Sequence, residues 1–141
     1  MELDVTKVMI LLQRRYGSIR EIDRLTKELE EAFARGDEVS AAMLLEMRAE
    51  EMAKNDNYTE EIWQLAGSDK AALQKLRRLM TSDPAEAQGQ NAEEKKVYEI
   101  RQRTQILLDK IRKTDQRMNR RVAREKSYYG AEPGVRRQAG V

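Results

Sequence analysis

Apolar residues in the first quarter of the chain recur three or four positions apart, over about eight helical turns. This spacing places them along one side of an α-helix, and it excludes a strand, in which side chains alternate between two faces. Gly17 interrupts the helix-forming composition, but the stripe resumes in phase beyond it. We therefore predict one helix over about residues 3 to 34, with a stripe made of Val5, Val8, Leu12, Tyr16, Ile19, Ile22, Leu25, Leu29 and Phe33.

The segment Arg35-Gly36-Asp37 has the residues that end one helix and begin another. Glycine tolerates the left-handed conformation found just past a helix end, and aspartate accepts hydrogen bonds from the free amides of the next helix. A second helix is predicted from Glu38 to about Ala66, antiparallel to the first because the connection is short. The run Lys54-Asn55-Asp56-Asn57 is compatible with a continuous helix or with a kink near Asn55.

The second helix has apolar residues on two sides instead of one, which predicts two neighbours. The neighbours are either the first and last long helices of this chain, or one of these and a partner protein. One side consists of Val39, Met43, Met47, Tyr58 and Leu65, and the other of Leu45, Met52 and Trp63.

A short helix and a last long helix complete the predicted fold. Gly67-Ser68 precedes a short amphipathic helix over about residues 68 to 80, and residues 81 to 92 lack large apolar side chains and are predicted to form a flexible loop. The last helix runs from about Ala92 to Tyr128 with a heptad seam made of Val97, Ile100, Thr104, Leu107, Ile111, Thr114 and Met118.

The fold class is therefore all-α, an antiparallel bundle of three long helices plus one short helix with coiled-coil-like packing. We expect this bundle domain to span residues 1 to 129. Residues 130 to 141 have too little apolar bulk to offset the entropy cost of ordering them, so we expect a disordered basic tail.

The residue types present exclude most catalytic and metal-binding chemistry. The chain has no His and no Cys, so zinc sites, thiol nucleophiles and Ser-His triads have no ligands or bases. Adjacent glutamates such as Glu50-Glu51 point about 100° apart on a helix and do not converge on one site. We predict no enzymatic activity, no metal and no cofactor.

The start of the chain resembles neither a signal peptide nor a membrane span. Glu2 and Asp4 precede a short apolar patch, which Arg14 and Arg15 follow at once. We therefore expect a cytoplasmic protein without membrane insertion.

The charge is distributed unevenly along the chain. Residues 110 to 141 contain ten basic and three acidic residues, whereas residues 1 to 109 contain 17 basic and 22 acidic ones. A basic end can bind nucleic-acid phosphates, but here only Tyr128 and Tyr129 could stack on bases. Cations are also favourable at a helix C-terminus. We interpret the basic stretch as a solvated helix end, with nucleic-acid binding as the alternative.

Two segments resemble flagellar type III export chaperones of the FliT/FlgN type. Residues 32 to 52, from Ala32-Phe33-Ala34 to Glu50-Glu51-Met52, resemble the loop and second helix of that family. Residues 106 to 119 resemble the Ile-x-x-x-Asp-x-x-x-Asn pattern of its last long helix, with Ile111, Asp115 and Asn119 at the matching positions. With the order of helices included, the resemblance covers residues 3 to about 126. The Met-rich second helix and the basic, Gly-containing tail depart from the family.

The resemblance implies a cytoplasmic chaperone that binds the helical C-terminal region of a filament-associated flagellar protein. Such a client is a cap or hook–filament junction protein, delivered unassembled to the export apparatus. Independently of the family, an apolar groove can hold an amphipathic client helix, and Met side chains adapt to its shape. The candidate partner-binding residues are Met43, Met47, Met52 and Trp63, with Leu73 and Leu76 as a cover.

Ordinary core packing is the alternative role for each of these six residues. Two other functions also stay open for the chain. For the whole chain, the heptads also fit a coiled-coil adaptor that self-associates as a homodimer, and the basic end fits a nucleic-acid accessory protein.

Overall fold

In the computed structural model, residues 2–129 are described, with side chains through residue 125. Four helices form this part of the chain: α1 (Val5–Ala34), α2 (Glu38–Gln64), α3 (Lys70–Thr81) and α4 (Ala92–Tyr129). The all-helical prediction is confirmed, and residues 2–129 contain no strand. Helix α1 is continuous through Gly17, and α2 through Asn55. The predicted tail of residues 130–141 lies outside the described residues.

An aspartate caps the N-terminus of each of the first three helices, and of these only Asp37 was predicted to begin a helix. The side chains of Asp4, Asp37 and Asp69 accept hydrogen bonds from backbone amides three residues later, at 2.9–3.0 Å. Hydrogen bonding to Ser40 holds the pKa of Asp37 below its ordinary value. Gly36 has φ +69°, in the left-handed region where an L side chain is strained. The prediction that residues 35 to 37 end one helix and begin the next is confirmed.

Helix α1 contacts both α2 and α4 along its length, whereas α2 and α4 meet mainly through long side chains. Between α1 and α2, Thr26 contacts Arg48, and Ser18, which is farther from the connecting turn, contacts Glu51, also farther from it. Contacts between α1 and α4 instead keep a constant separation of 87 residues, joining Thr6 to Glu93, Asp23 to Lys110 and Glu30 to Arg117. Helices α1 and α4 therefore run in the same direction.

The buried side chains form three clusters along the bundle instead of one continuous core. The largest lies at the end where α3 packs, and it includes Leu12, Ile62, Leu76 and Val97. A small cluster around Ile19, Ile22 and Ile111 lies at mid-length, and a third, of Leu29, Ala32, Ala41 and Met118, lies near the turn between α1 and α2. The predicted seam of α4 is confirmed, since six of its seven residues are buried and Leu107 is half-buried.

Helix α3 is held by ionic and polar contacts as well as by apolar ones. Glu94 of α4 is fully buried, with Oε1 3.1 Å from Nη1 of Arg78 and Oε2 3.7 Å from Nζ of Lys75. The Arg101 guanidinium donates a hydrogen bond to the carbonyl of Leu79 at 2.8 Å. Burial lowers the pKa of Arg101. These contacts, together with buried Leu76 and Leu79, fix α3 against the large cluster.

Gly89 lies where the loop between α3 and α4 passes the first turn of α4. A Cβ atom on Gly89 would be 2.5 Å from the backbone N of Lys95 and 2.9 Å from the backbone C of Glu94. We expect Gly89→Ala to lower the free energy of unfolding by about 1–2 kcal/mol, because the backbone must move to admit the methyl group. Urea denaturation followed by circular dichroism measures this change.

Gly17→Ala is the matched control. A Cβ there meets nothing within 4 Å, and the residue is inside a helix. This substitution should raise the stability by about 0.5–1 kcal/mol. A Gly89→Ala protein as stable as the wild type would contradict the close approach of the loop.

Candidate interaction surface

The face of α2 that packs on the bundle is largely polar. Only Ala41 and Ile62 are buried, and the residues between them on this face are half-buried and mostly polar or charged, namely Leu44, Arg48, Glu51, Asn55, Tyr58 and Thr59. Thr59 Oγ1 accepts a hydrogen bond from Arg15 at 3.2 Å. Burial, and secondarily the charge of Arg101, lowers the pKa of Arg15. Sequence reasoning missed this face because it followed apolar residues.

The two apolar sides predicted for α2 are consequently not both covered by the chain. Val39, Met43 and Met47 are 75%, 60% and 41% exposed, and Leu45 and Met52 are also exposed. The expectation that the first and last long helices cover both apolar sides is wrong for the first half of α2, from Val39 to Met52. The face of α2 that packs on the bundle lies between these two sides. The structure agrees with the alternative, in which the other helices of this chain leave an apolar side of α2 uncovered.

Val39, Met43 and Met47 follow one another at four-residue intervals and form what we call the α2 strip. Beside the strip, a groove of 320 Å³ opens between α1 and α2. Its lining consists of Glu28, Glu31, Arg35, Ser40, Met43, Leu44 and Met47. The strip is thus an exposed apolar surface with a concave edge.

The six predicted partner-binding residues do not form one site. Met43 and Met47 lie together on the α2 strip, and exposed Met52 lies about 140° around the helix from Met47, on the same side as Leu45. Trp63 and Leu73 are half-buried against the large cluster, and Leu76 is wholly buried in it. Because this cluster is at the opposite end of α2 from the strip, Leu73 and Leu76 do not cover the strip.

The structure also exposes apolar residues that the predicted site omitted. Val39 and Leu45 belonged to the predicted apolar sides of α2 but not to the site, although their exposure exceeds that of Met52. On α4, Ile106 is 65% exposed and Leu108 is exposed beside the heptad seam. Ile106 is not a heptad position of the predicted seam, and this sequence signal was sufficient to predict its exposure.

Acidic side chains border the α2 strip, and the nearby cations are already paired. Arg24 pairs with Glu21 and with Glu28 (2.9 Å to the latter), Arg35 pairs with Asp37 at 3.5 Å, and Lys54 pairs with Glu51 at 2.9 Å. The Glu51 carboxylate raises the pKa of Lys54, and the hydrogen bond from Arg24 lowers that of Glu21. In contrast, three glutamates at the strip are exposed and form no salt bridge with the side chains described, those of residues 2–125, namely Glu31, Glu46 and Glu50.

One polar contact joins the three long helices and sets the rotation of α2. The Arg48 guanidinium donates two hydrogen bonds to the Asp115 carboxylate of α4, both at 2.7 Å, and a third to Oγ1 of Thr26 in α1 at 3.3 Å. A bidentate pair of this kind is strong, and its planar geometry restricts how the two side chains can be oriented. With Arg48 turned inward, the neighbouring Met47 and the rest of the α2 strip face outward.

The basic end of α4 is partly neutralised by the chain itself. Arg117 donates hydrogen bonds to Glu30 at 2.7 and 2.8 Å, which lower the pKa of Glu30. Arg112 pairs with Asp109 and Arg121 with Glu125, while Lys113, Arg120 and Arg124 are exposed. Lys113, Arg120 and Arg124, which form no salt bridge within residues 2–125, lie seven and four positions apart and therefore on one side of α4.

Three further observations bear on the kind of site. Within residues 2–125, no cluster of three or more acidic residues has the arrangement that holds a metal ion. No helix in that range combines the length and apolar character needed to cross a membrane. Comparison with protein-family models, with curated proteins and with solved structures gives no match for this chain.

Proposed function

We propose that this chain is a non-enzymatic chaperone that binds an amphipathic helix of a client protein on the α2 strip. The single observation that carries the proposal is the exposure of three apolar side chains in a continuous row beside a groove. Isolated exposed apolar residues are common, but a contiguous apolar patch bordered by polar residues is typical of a protein interaction site.

The physical basis is the burial of apolar surface in a helix-in-groove contact. A client helix with apolar residues at intervals of three or four could place them between Met43 and Met47 and in the adjoining groove. Burying an exposed Val or Met side chain contributes about 1–2 kcal/mol. Met side chains are flexible and polarisable, so the same strip adapts to clients of different shape.

The proposed client class rests on the resemblance of residues 32 to 52 and 106 to 119 to flagellar type III export chaperones. The first of these segments contains the whole α2 strip, and the second contains Asp115, which fixes α2 through Arg48. We therefore propose a cytoplasmic export chaperone for the helical C-terminal region of a cap or hook–filament junction protein. In this proposal α2 runs antiparallel to α1 and α4, in a coiled-coil-like bundle that the client helix extends.

The double variant Met43→Glu/Met47→Glu tests this function. We expect it to weaken binding of C-terminal helical peptides from cap and hook–filament junction proteins at least about 30-fold, because two charges replace the apolar contact. Isothermal titration calorimetry gives the dissociation constants, and copurification from a flagellated host tests the client in the cell.

The matched control is Ile106→Glu/Leu108→Glu, which adds the same charges to the exposed apolar residues of α4. This control should bind the peptides as the wild type does. Equal weakening by both double variants would contradict the α2 strip as the client site. Copurification of only ribosomal or DNA-binding proteins would count against the client class.

Self-association is the second candidate, and exposed Ile106 and Leu108 on α4 favour it. A coiled-coil adaptor would cover Ile106 with the same helix of a second copy, whereas Leu108 points about 160° away around α4. Light scattering at increasing concentration distinguishes the two, since the chaperone proposal requires only a monomer. A dimer that Ile106→Glu/Leu108→Glu dissociates would support the adaptor.

A further inference from the structure

We infer that the helix bound by the α2 strip is basic, with Lys or Arg on both flanks of its apolar side. This inference rests on the proposed function and adds the chemistry of the partner. Helix α2 itself contains seven acidic and two basic residues, and both basic ones, Arg48 and Lys54, are paired with carboxylates of this chain. Arg35, the one cation among the residues that line the groove, is paired with Asp37, so the charge around the strip is predominantly acidic.

The placement of the acidic residues matches the outline of a docked helix. Glu46 and Glu50 each follow a strip methionine by three residues, so they lie along the solvent side of the strip. Glu31 and Glu28 lie across the strip, on the α1 side of the groove. A helix seated on Met43 and Met47 would have carboxylates along both of its edges.

Charge complementarity then selects among amphipathic helices of equal apolar content. Lys and Arg on the client's flanks would meet Glu31, Glu46 and Glu50, while their aliphatic stems cover the exposed methionines. An acidic helix would place like charges together and leave these glutamates without partners. The strip thus provides affinity through apolar burial and selectivity through its rim.

The basic end of α4 in a second copy does not have the surface needed to occupy the strip. In residues 119–125 the only large apolar side chain is Val122, which is half-buried, and the preceding Met118 belongs to the core. Arg117 and Arg121 are also already paired with Glu30 and Glu125. The occupant that we assign to the strip is instead a helix of a different protein, which combines basic flanks with a full apolar side.

The test uses two designed 20-residue amphipathic peptides with identical apolar positions. One has Lys and Arg on its flanks and the other has Glu, and calorimetry measures their binding to the full chain. We expect the basic peptide to bind about tenfold more tightly at low salt, with a preference that shrinks as salt is added.

Charge-reversal variants locate the preference on the protein. Glu46→Lys/Glu50→Lys should abolish or invert it, whereas Glu60→Lys/Glu61→Lys, an equal change on the exposed far part of α2, should leave it intact. A preference that both double variants reduce equally would overturn the assignment to the strip, because it would reflect net charge alone.

The remaining outcomes separate this inference from the proposed function. Equal binding of both peptides, lost in Met43→Glu/Met47→Glu, would overturn the basic partner but leave the helix-binding function. Absence of binding by either peptide at millimolar concentration would overturn both. A dimer that Glu46→Lys/Glu50→Lys dissociates would identify a second copy as the occupant and would also overturn the inference.

Discussion

Leu76→Ala is expected to lower the free energy of unfolding by about 3 kcal/mol, the largest effect of a single substitution that we predict. Leu76 is fully buried in the cluster that contains Leu12, Ile62 and Val97, so its truncation leaves a cavity in a cluster to which all four helices contribute. Urea denaturation monitored by circular dichroism gives the change. Hydrogen exchange of the α3 amides shows whether α3 opens before the rest of the bundle.

Leu73→Ala is the control on the same helix. Leu73 is half-buried, and its truncation should cost about 1 kcal/mol, since less apolar surface returns to water. If Leu76→Ala had a global effect below 1 kcal/mol while the α3 amides exchanged freely, α3 would be a detachable segment and not part of the core.

The position of α3 decides a question that the sequence left open. Leu73 and Leu76 were predicted to cover the candidate binding residues, but Leu76 lies in the same buried cluster as Ile62, and the α2 strip ends fifteen residues before Ile62, at Met47. This separation corresponds to about 22 Å along the helix. Helix α3 closes the far end of the bundle, and the strip stays uncovered.

Arg48→Ala and Asp115→Ala should each lower the free energy of unfolding by about 2 kcal/mol, the second large effect. Each substitution leaves the other charge without its partner in a partly enclosed site, where the Arg48 side chain is 15% and the Asp115 side chain 29% exposed. The double variant should lose less unfolding free energy than the two single variants lose together. We expect a coupling energy of about 1–2 kcal/mol from the cycle of urea denaturations.

The pair Arg121 and Glu125 is the control for this cycle. Both side chains are more than half exposed and lie one turn apart on α4, at 3.8 Å. Their coupling energy should be below about 0.5 kcal/mol. Additive losses from Arg48→Ala and Asp115→Ala would show that the two residues act independently and do not set the rotation of α2.

The helices and their ends could be predicted because they depend on local chemistry. The aspartates at positions 4, 37 and 69 accept amide hydrogen bonds within three residues of themselves, and Gly36 meets a conformational need of its own backbone. The α4 seam could also be predicted from the sequence, since its buried residues are largely apolar and follow one period.

The packed face of α2 could not be predicted in the same way. Its central residues, Arg48, Glu51, Asn55 and Thr59, are polar, and they pack inward because of partners far away in sequence. Arg48 is 22 residues from Thr26 and 67 from Asp115, and Ser18 is 33 residues from Glu51. Apolar periodicity therefore indicated the wrong faces of α2 as packed.

The candidate site shows the same division. The methionines of α2 were predicted as binding residues from their type and spacing, but the pattern grouped them with Trp63, Leu73 and Leu76, which the fold places at the other end. Only the fold separates them, because burial depends on which helix lies opposite each side chain.

The amino-acid order alone determined where helices form, where they stop and which face of α4 is buried, since each of these depends on neighbours within about two turns. The tertiary structure decided which face of α2 is packed, and thereby which methionines stay exposed. The physical reason is that an ion pair and hydrogen bonds between distant residues, with Arg48 at their centre, satisfy a polar face that local hydrophobicity would assign to water.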